Sequence, residues 1–204
     1  MDDRQQRLEA VFGSVSACTG CEERRRRTLE EVVQLAVEIA REGREGRKIG
    51  TLFVVGDVDE VLLRSRPLLL DPLFGHDPEL LDVRRADFRE TVKELAQLDG
   101  AFLVRDDGIF VSAGRYVDVD LSAPFMPGLG TRHAAGASIT TSTRAIAIVV
   151  SQSSVVRVYA RGEIKAEIIP ELFLMSREQL FVRDASVAQV PEAGVTLAVA
   201  ADAA

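Results

Sequence analysis

Thr51-Leu52-Phe53-Val54-Val55 is a continuous apolar run held between Gly50 and Gly56. A run of that length without polar alternation marks a strand buried on both faces. Such a strand needs a sheet covered from two sides. Ala145 to Val150 is a second apolar run of strand length. The segments around them read as covers and neighbours. Leu29, Val32, Val33, Ala36, Ile39 and Ala40 form a helical apolar face, and Thr28 with Glu31 has capping-box spacing. A helix from about Leu29 to Arg41 is expected, ended by Gly43 and Gly46. Val58 to Leu63 reads as a short helix, Pro67 to Pro78 as a loop, and Phe88 to Leu98 as a second amphipathic helix. Ala101 to Val104 and Ile109 to Ser112 flank Asp106-Asp107-Gly108, a hairpin turn. Val155 to Tyr159 and Ile164 to Ile169 are two more strands, turning at Arg161-Gly162. The expected fold is α/β, a central mixed β-sheet flanked by helices on both faces.

Length sets the domain count. At 204 residues the chain holds one well-packed domain and not two comfortable ones. Residues 1–27 read as a polar leader, 28–170 as the domain, and 171–204 as a partly frayed C-terminal extension. The arginine run Arg24 to Arg27 follows two glutamates and reads as a solvated charge cluster before the first helix. Net charge is −7, so bulk electrostatics do not draw the protein to DNA or anionic lipid. An anion site here must be a local pocket. The polar start and short apolar runs give neither a secretory signal nor a membrane span; the expectation is a cytoplasmic protein with no membrane partner. Cys18 and Cys21 are spaced Cys-x-x-Cys, but four zinc ligands are not in reach of them in sequence. They read as incidental thiols; a metal shared between chains or a redox pair is the alternative. His76, beside Gly75 in the loop, reads as surface.

Two segments carry chemistry. Asp99 sits where a helix passes into a strand, and Gly100 after it allows close backbone approach. A carboxylate there suits Mg²⁺ or Mn²⁺, or a ribose hydroxyl. Downstream, Gly128-Leu129-Gly130 leads into Thr131, an N-cap for a helix starting at Arg132. Free amides and the positive end of that helix suit a phosphate. Arg132 adds a bidentate cation, Thr131 a hydroxyl, and His133 a donor toward an α-phosphate or a departing pyrophosphate.

Asp99-Gly100-Ala101 followed by Gly130-Thr131-Arg132-His133 and the Ile-Val-Val-Ser run ending at Ser151 resembles the diadenylate cyclase family. This is the nucleotide-binding module of the DNA-integrity scanning protein DisA and its relatives, here in a form like non-membrane archaeal members. The resemblance runs from about Leu29 to about Ile169. It implies condensation of two ATP into cyclic di-AMP with release of two pyrophosphates, with Mg²⁺ or Mn²⁺ as cofactor. It further implies a face-to-face homodimer or larger homo-oligomer, and no direct nucleic-acid binding. Asp99, Arg132 and His133 would be catalytic, Asp99 also holding metal. Gly100, Ala101, Val117, Gly130, Thr131, Arg132, His133, Ala134 and Ser151 would bind ATP, with Val117 against the adenine. The chain departs from the family pattern in two places. Ala134 replaces a second arginine, and Ser151-Gln152-Ser153 replaces a common Ser-Glu-Glu. A catalytically silent nucleotide- or cyclic-dinucleotide-binding module is the rival that these departures motivate; a purely structural α/β subunit is a weaker one.

Overall fold

Alternate residues of the buried runs pack to opposite sides, and that decides the architecture of the computed structural model. It describes residues 23–68, 70–120, 128–170, 185–190 and 195–200. Cys18, Cys21 and the leader through residue 22 lie outside the described residues, as does most of 171–204. In chain order the elements are α1 (Glu23–Glu42), β1 (Thr51–Val55), α2 (Val58–Leu63), β2 (Ser65–Pro67), a 3₁₀ turn (Pro78–Leu81), α3 (Ala86–Leu95), β3 (Ala101–Val104) and β4 (Phe110–Val117). Then follow α4 (Thr131–Ser142), β5 (Ile146–Val150), β6 (Val156–Ala160), β7 (Glu163–Ile168), β8 (Ala185–Val190) and β9 (Val195–Ala200).

The first seven strands form one sheet in the order β2-β4-β3-β1-β5-β6-β7. β1 and β3 are parallel, with Leu52 beside Ala101; every other neighbouring pair is antiparallel. On one face Phe53, Val55, Phe102, Val104, Ile146 and Ile148 meet Val32, Val33 and Ala36 of α1 and Phe88 and Val92 of α3. Phe53 stacks on Phe102 at 5.1 Å, and Phe110 meets Phe102 and Phe88 edge-on. Each such buried aromatic contributes about 1.5–3 kcal/mol. On the other face Leu52, Val54, Leu103, Ala147 and Val149 meet Ala135, Ala137 and Ile139 of α4 and Val61 of α2. The expected mixed sheet with helices on both faces is therefore the observed one.

Several local readings change. α1 is already helical at Glu23, so the arginine run lies within the helix. Its members are paired: Arg24 with Asp107, Arg25 with Asp106, Arg26 with Glu23 and Glu30, and Arg27 with Glu23. Thr28 is interior to α1 and caps nothing; its hydroxyl donates to the Asp106 carbonyl at 2.8 Å. α3 is shifted toward the N-terminus of its expected span, and β4 continues past Ser112 to Val117. The expected loop opens with β2, and His76 within it is exposed. β8 and β9, which the sequence leaves within the extension, pair as an antiparallel hairpin. Among the described residues no helix is long and apolar enough to cross a membrane.

Candidate active site

The two signature segments meet at one end of the sheet. α3 delivers Asp99 and Gly100 to the start of β3, and α4 begins at Thr131 next to them. Asp99 Oδ1 accepts a hydrogen bond from Arg132 Nη2 at 3.2 Å across 33 residues of sequence. Asp99 is 79% exposed and Arg132 34% exposed, so this contact is a weak surface ion pair. Its interest is position. It stands at the rim of a cleft of about 430 Å³, within the size range of small-molecule sites.

The cleft lining comes from several elements. Leu52 and Ala101, neighbours across the parallel strands, join Val117 of β4 and Ala135 of α4 to give an apolar wall. Arg115 and Tyr116 of β4 and Leu68 also line the cleft. Arg115 is held in place, because its Nε donates to Ser65 Oγ at 2.9 Å and its Nη2 to the Ser65 carbonyl at 2.8 Å. Arg66 lies 4.6 Å over the Tyr116 ring, a cation–π contact. Leu52, Leu68, Arg115, Tyr116 and Ala135 were not singled out from sequence. Strand alternation puts Leu52 on the α4 face; no local signal marks the others, which converge only through folding.

The helix start differs from the expected one. Gly130, not Thr131, is the N-cap, and Thr131 is the first helical residue. His133 N–H and Ala134 N–H both donate to the Gly130 carbonyl, at 3.0 and 3.3 Å. This first turn aims its remaining amides outward, as helix starts do. Gly130 has an ordinary φ of −75°, and a Cβ added there would meet nothing within 4 Å. No neighbour within the described residues requires glycine at this place. Gly100 is the reverse case. Its φ is +107°, and an added Cβ would lie 2.5 Å from the Gly114 carbonyl carbon. Gly100 lets β3 approach β4, so the fold itself requires its smallness.

His133 lies in the interior. It is 6% exposed and does not line the cleft. Its Nδ1 lies 3.0 Å from the Tyr159 hydroxyl, with ring centroids 6.0 Å apart. Burial, helped by the Arg157 guanidinium, pulls its pKa down to about 4; the Tyr159 phenol is pushed up, also by burial. Burial and the Tyr159 contact favour the neutral imidazole. Ala134 is half-buried beside it. Ser151 follows the last residue of β5, with its hydroxyl 2.8 Å from Ser153 Oγ. Gln152 Cγ and Arg132 Nη1 both come within 3.4 Å of where a Gly50 Cβ would stand, so the missing glutamate would have been next to Arg132. The cleft opens at the amino ends of the parallel pair β1 and β3 and at the carboxyl ends of β4 and β5.

Asp99 is the one carboxylate among the described residues that line the cleft. Among the described residues no three His, Cys, Asp or Glu side chains gather as a metal site. A single exposed carboxylate fits a Mg²⁺ or Mn²⁺ ion that arrives on substrate phosphates and keeps several waters. It does not fit a resident structural metal.

A seven-stranded mixed sheet with helices packed on both faces defines an α/β domain. The family model described as DisA bacterial checkpoint controller nucleotide-binding matches residues 38–164, and the chain belongs to that family, DAC. A diadenylate cyclase of Methanocaldococcus jannaschii is 46% identical over 150 residues, covering 73% of this chain and 48% of that protein. One of Haloferax volcanii is 38% identical over 152 residues, covering 71% and 54%. The chain spans about half the length of these curated relatives. Among solved structures, a hypothetical membrane-spanning protein of Bacillus cereus shares the fold, with a TM-score of 0.50 at 19% identity over 65% of this chain and 59% of that one.

Proposed function

We propose that this protein is a diadenylate cyclase that joins two ATP molecules into cyclic di-AMP and releases two pyrophosphates. The observation that carries this reading is the Asp99–Arg132 contact at the cleft rim, which brings both signature segments to one small-molecule cleft. The adenine would lie against Val117, Leu52 and Ala101. The phosphates would lie over the open side of Gly130, within reach of the α4 amides, the Thr131 hydroxyl and the Arg132 guanidinium.

Each ribose 3′-oxygen attacks the α-phosphorus of the other ATP. A new P–O bond forms as the bond to the β-phosphate oxygen breaks; pyrophosphate leaves with those electrons, and the hydroxyl proton passes to water. Asp99 orients the attacking hydroxyl and would hold the divalent cation. That cation, when bound, neutralises charge on the phosphates. Arg132 stabilises charge on the α-phosphate as it develops, and positioning supplies much of the rate. The Gly130-Thr131-Arg132-His133 signature occurs once in the sequence, so two protomers would face each other with two-fold symmetry.

A second reading is a silent nucleotide-binding module. Ala134 removes a cation and Gln152 a carboxylate, and Gln152 stands next to Arg132. Incubating the purified chain with ATP and Mg²⁺ or Mn²⁺, followed by mass spectrometry for cyclic di-AMP, separates these readings. Product supports the cyclase. ATP binding without product under both metals supports the silent module, and no ATP binding leaves a structural subunit.

A further inference from the structure

The first half of α4 is nearly featureless on its sheet side. Ala134, Ala135, Gly136 and Ala137 follow His133, and the next large apolar residue is Ile139. The helix sits close to the sheet: a Cβ added at Gly136 would meet Val149 Cγ2 at 3.0 Å and Tyr159 Cδ2 at 3.6 Å. Small residues permit that approach, but they offer few interlocking shapes to fix the helix in rotation or along its axis. The cleft needs both fixed, because Thr131 and Arg132 open this helix. Among the described residues, His133 is the one large side chain at that end buried toward the sheet, and it ends on the Tyr159 hydroxyl of β6. Tyr159 is itself buried at 3% exposure, and a buried phenol needs a hydrogen-bond partner. A hydrogen bond is directional where alanine packing is not.

We propose that Tyr159 is a positioning residue for the phosphate-binding turn: its hydroxyl donates to His133 Nδ1, fixes the imidazole neutral with its proton on Nε2, and pins the start of α4 so that Thr131 and Arg132 face the cleft. This inference rests on the cyclase reading for its consequence and on the geometry alone for its hydrogen bond. His133 then acts through its Nδ1 and through Arg132, without touching the phosphates.

The test uses the full chain labelled with ¹⁵N. The chain has only two histidines, and His76 is exposed, so the two ring systems are separable. Wild type should show the His133 ring neutral with Nε2 protonated at neutral pH, and Tyr159→Phe should abolish that bias without lowering the melting temperature by more than a few degrees. Nδ1 protonation in wild type, or identical rings in both proteins, would overturn the proposal. In turnover, Tyr159→Phe and His133→Ala should each lower kcat about tenfold or more while KM for ATP rises less. His133→Asn, whose side-chain amide stands near the Nδ1 position, should recover most of the loss. Equal losses in His133→Asn and His133→Ala would show that Nε2 carries the function and would refute positioning through Nδ1. If wild type makes no product, the cyclase reading fails by itself. The ring shifts then still decide the hydrogen bond, and ATP affinity, expected to fall severalfold in Tyr159→Phe, decides its consequence.

Discussion

Asp99 Oδ1 and Arg132 Nη2 lie 3.2 Å apart across 33 residues, and neither group is buried deeply enough for that contact to matter to stability. An anion and a cation held together at a cleft rim without structural payoff suit a ligand that would separate and use them. ATP would do so, its phosphates taking the guanidinium and its cation and ribose taking the carboxylate.

Asp99→Asn removes the charge at nearly constant volume. Cyclic di-AMP formation is expected to fall by about 100-fold or more, with thermal unfolding unchanged within about 0.5 kcal/mol. Arg132→Ala deletes charge-assisted phosphate contacts and should weaken ATP binding by about tenfold or more. Calorimetric titration and a melting curve on each variant check both. An Asp99→Asn protein with full turnover would remove that carboxylate from the mechanism.

Gly100 and Gly130 make opposite predictions. Gly100→Ala forces a side chain into φ +107° against the Gly114 backbone at 2.5 Å, and should cost at least about 1–3 kcal/mol. Gly130→Ala meets open space at an ordinary φ and should cost at most about 1 kcal/mol through the poorer cap. Its methyl group would nonetheless occupy the volume assigned to a phosphate, so ATP affinity should drop while the fold persists. Unchanged affinity in Gly130→Ala would move the phosphates elsewhere.

Burial holds the His133 pKa at about 4, below the roughly 6.5 of an unfolded chain. As pH falls, the unfolded chain takes up that proton first and stability drops. The contribution is complete above about pH 6.5 and is lost progressively toward pH 4, by at most about 3 kcal/mol. Urea unfolding at pH 7.5 and pH 5 should show wild type losing about 2 kcal/mol more than His133→Asn. Equal losses in the two proteins would mean that the imidazole is not buried neutral.

What was legible in the sequence follows from what is local. The apolar runs at Thr51 and Ala145 announced strands buried on both faces, and the Asp106-Asp107-Gly108 turn announced its hairpin. The sequence singles out Asp99 and Arg132 from their neighbours, and the fold brings the two together. The start of α1 was not, because an arginine-rich first turn carries no apolar period; its pairing with Asp106 and Asp107 is a tertiary fact. Thr131 has the composition of a cap, yet the backbone turns one residue earlier, at Gly130. The contact of His133 with Tyr159 is not legible in the sequence, because its partner lies on β6, two elements on. Arg115 and Tyr116 reach the cleft because β4 runs on to Val117, well past its recognisable apolar start.

Activity should belong to an assembly and not to a chain. Each signature occurs once, giving one helix start and one rim carboxylate per protomer, while the reaction uses two equivalent nucleotides that exchange 3′-hydroxyl and α-phosphate roles. A two-fold pair of facing sites is the simplest arrangement that satisfies both. Two highly anionic nucleotides brought so close repel each other, so the productive pair forms only with cations present. Specific activity at saturating ATP should therefore fall as the protein is diluted. Asp99→Asn protein, which retains Arg132 and the α4 amides and so still binds ATP, should poison wild type by capturing it in unproductive pairs. Specific activity that stays flat over a wide dilution range, with light scattering showing a monomer at its low end, would exclude the facing pair.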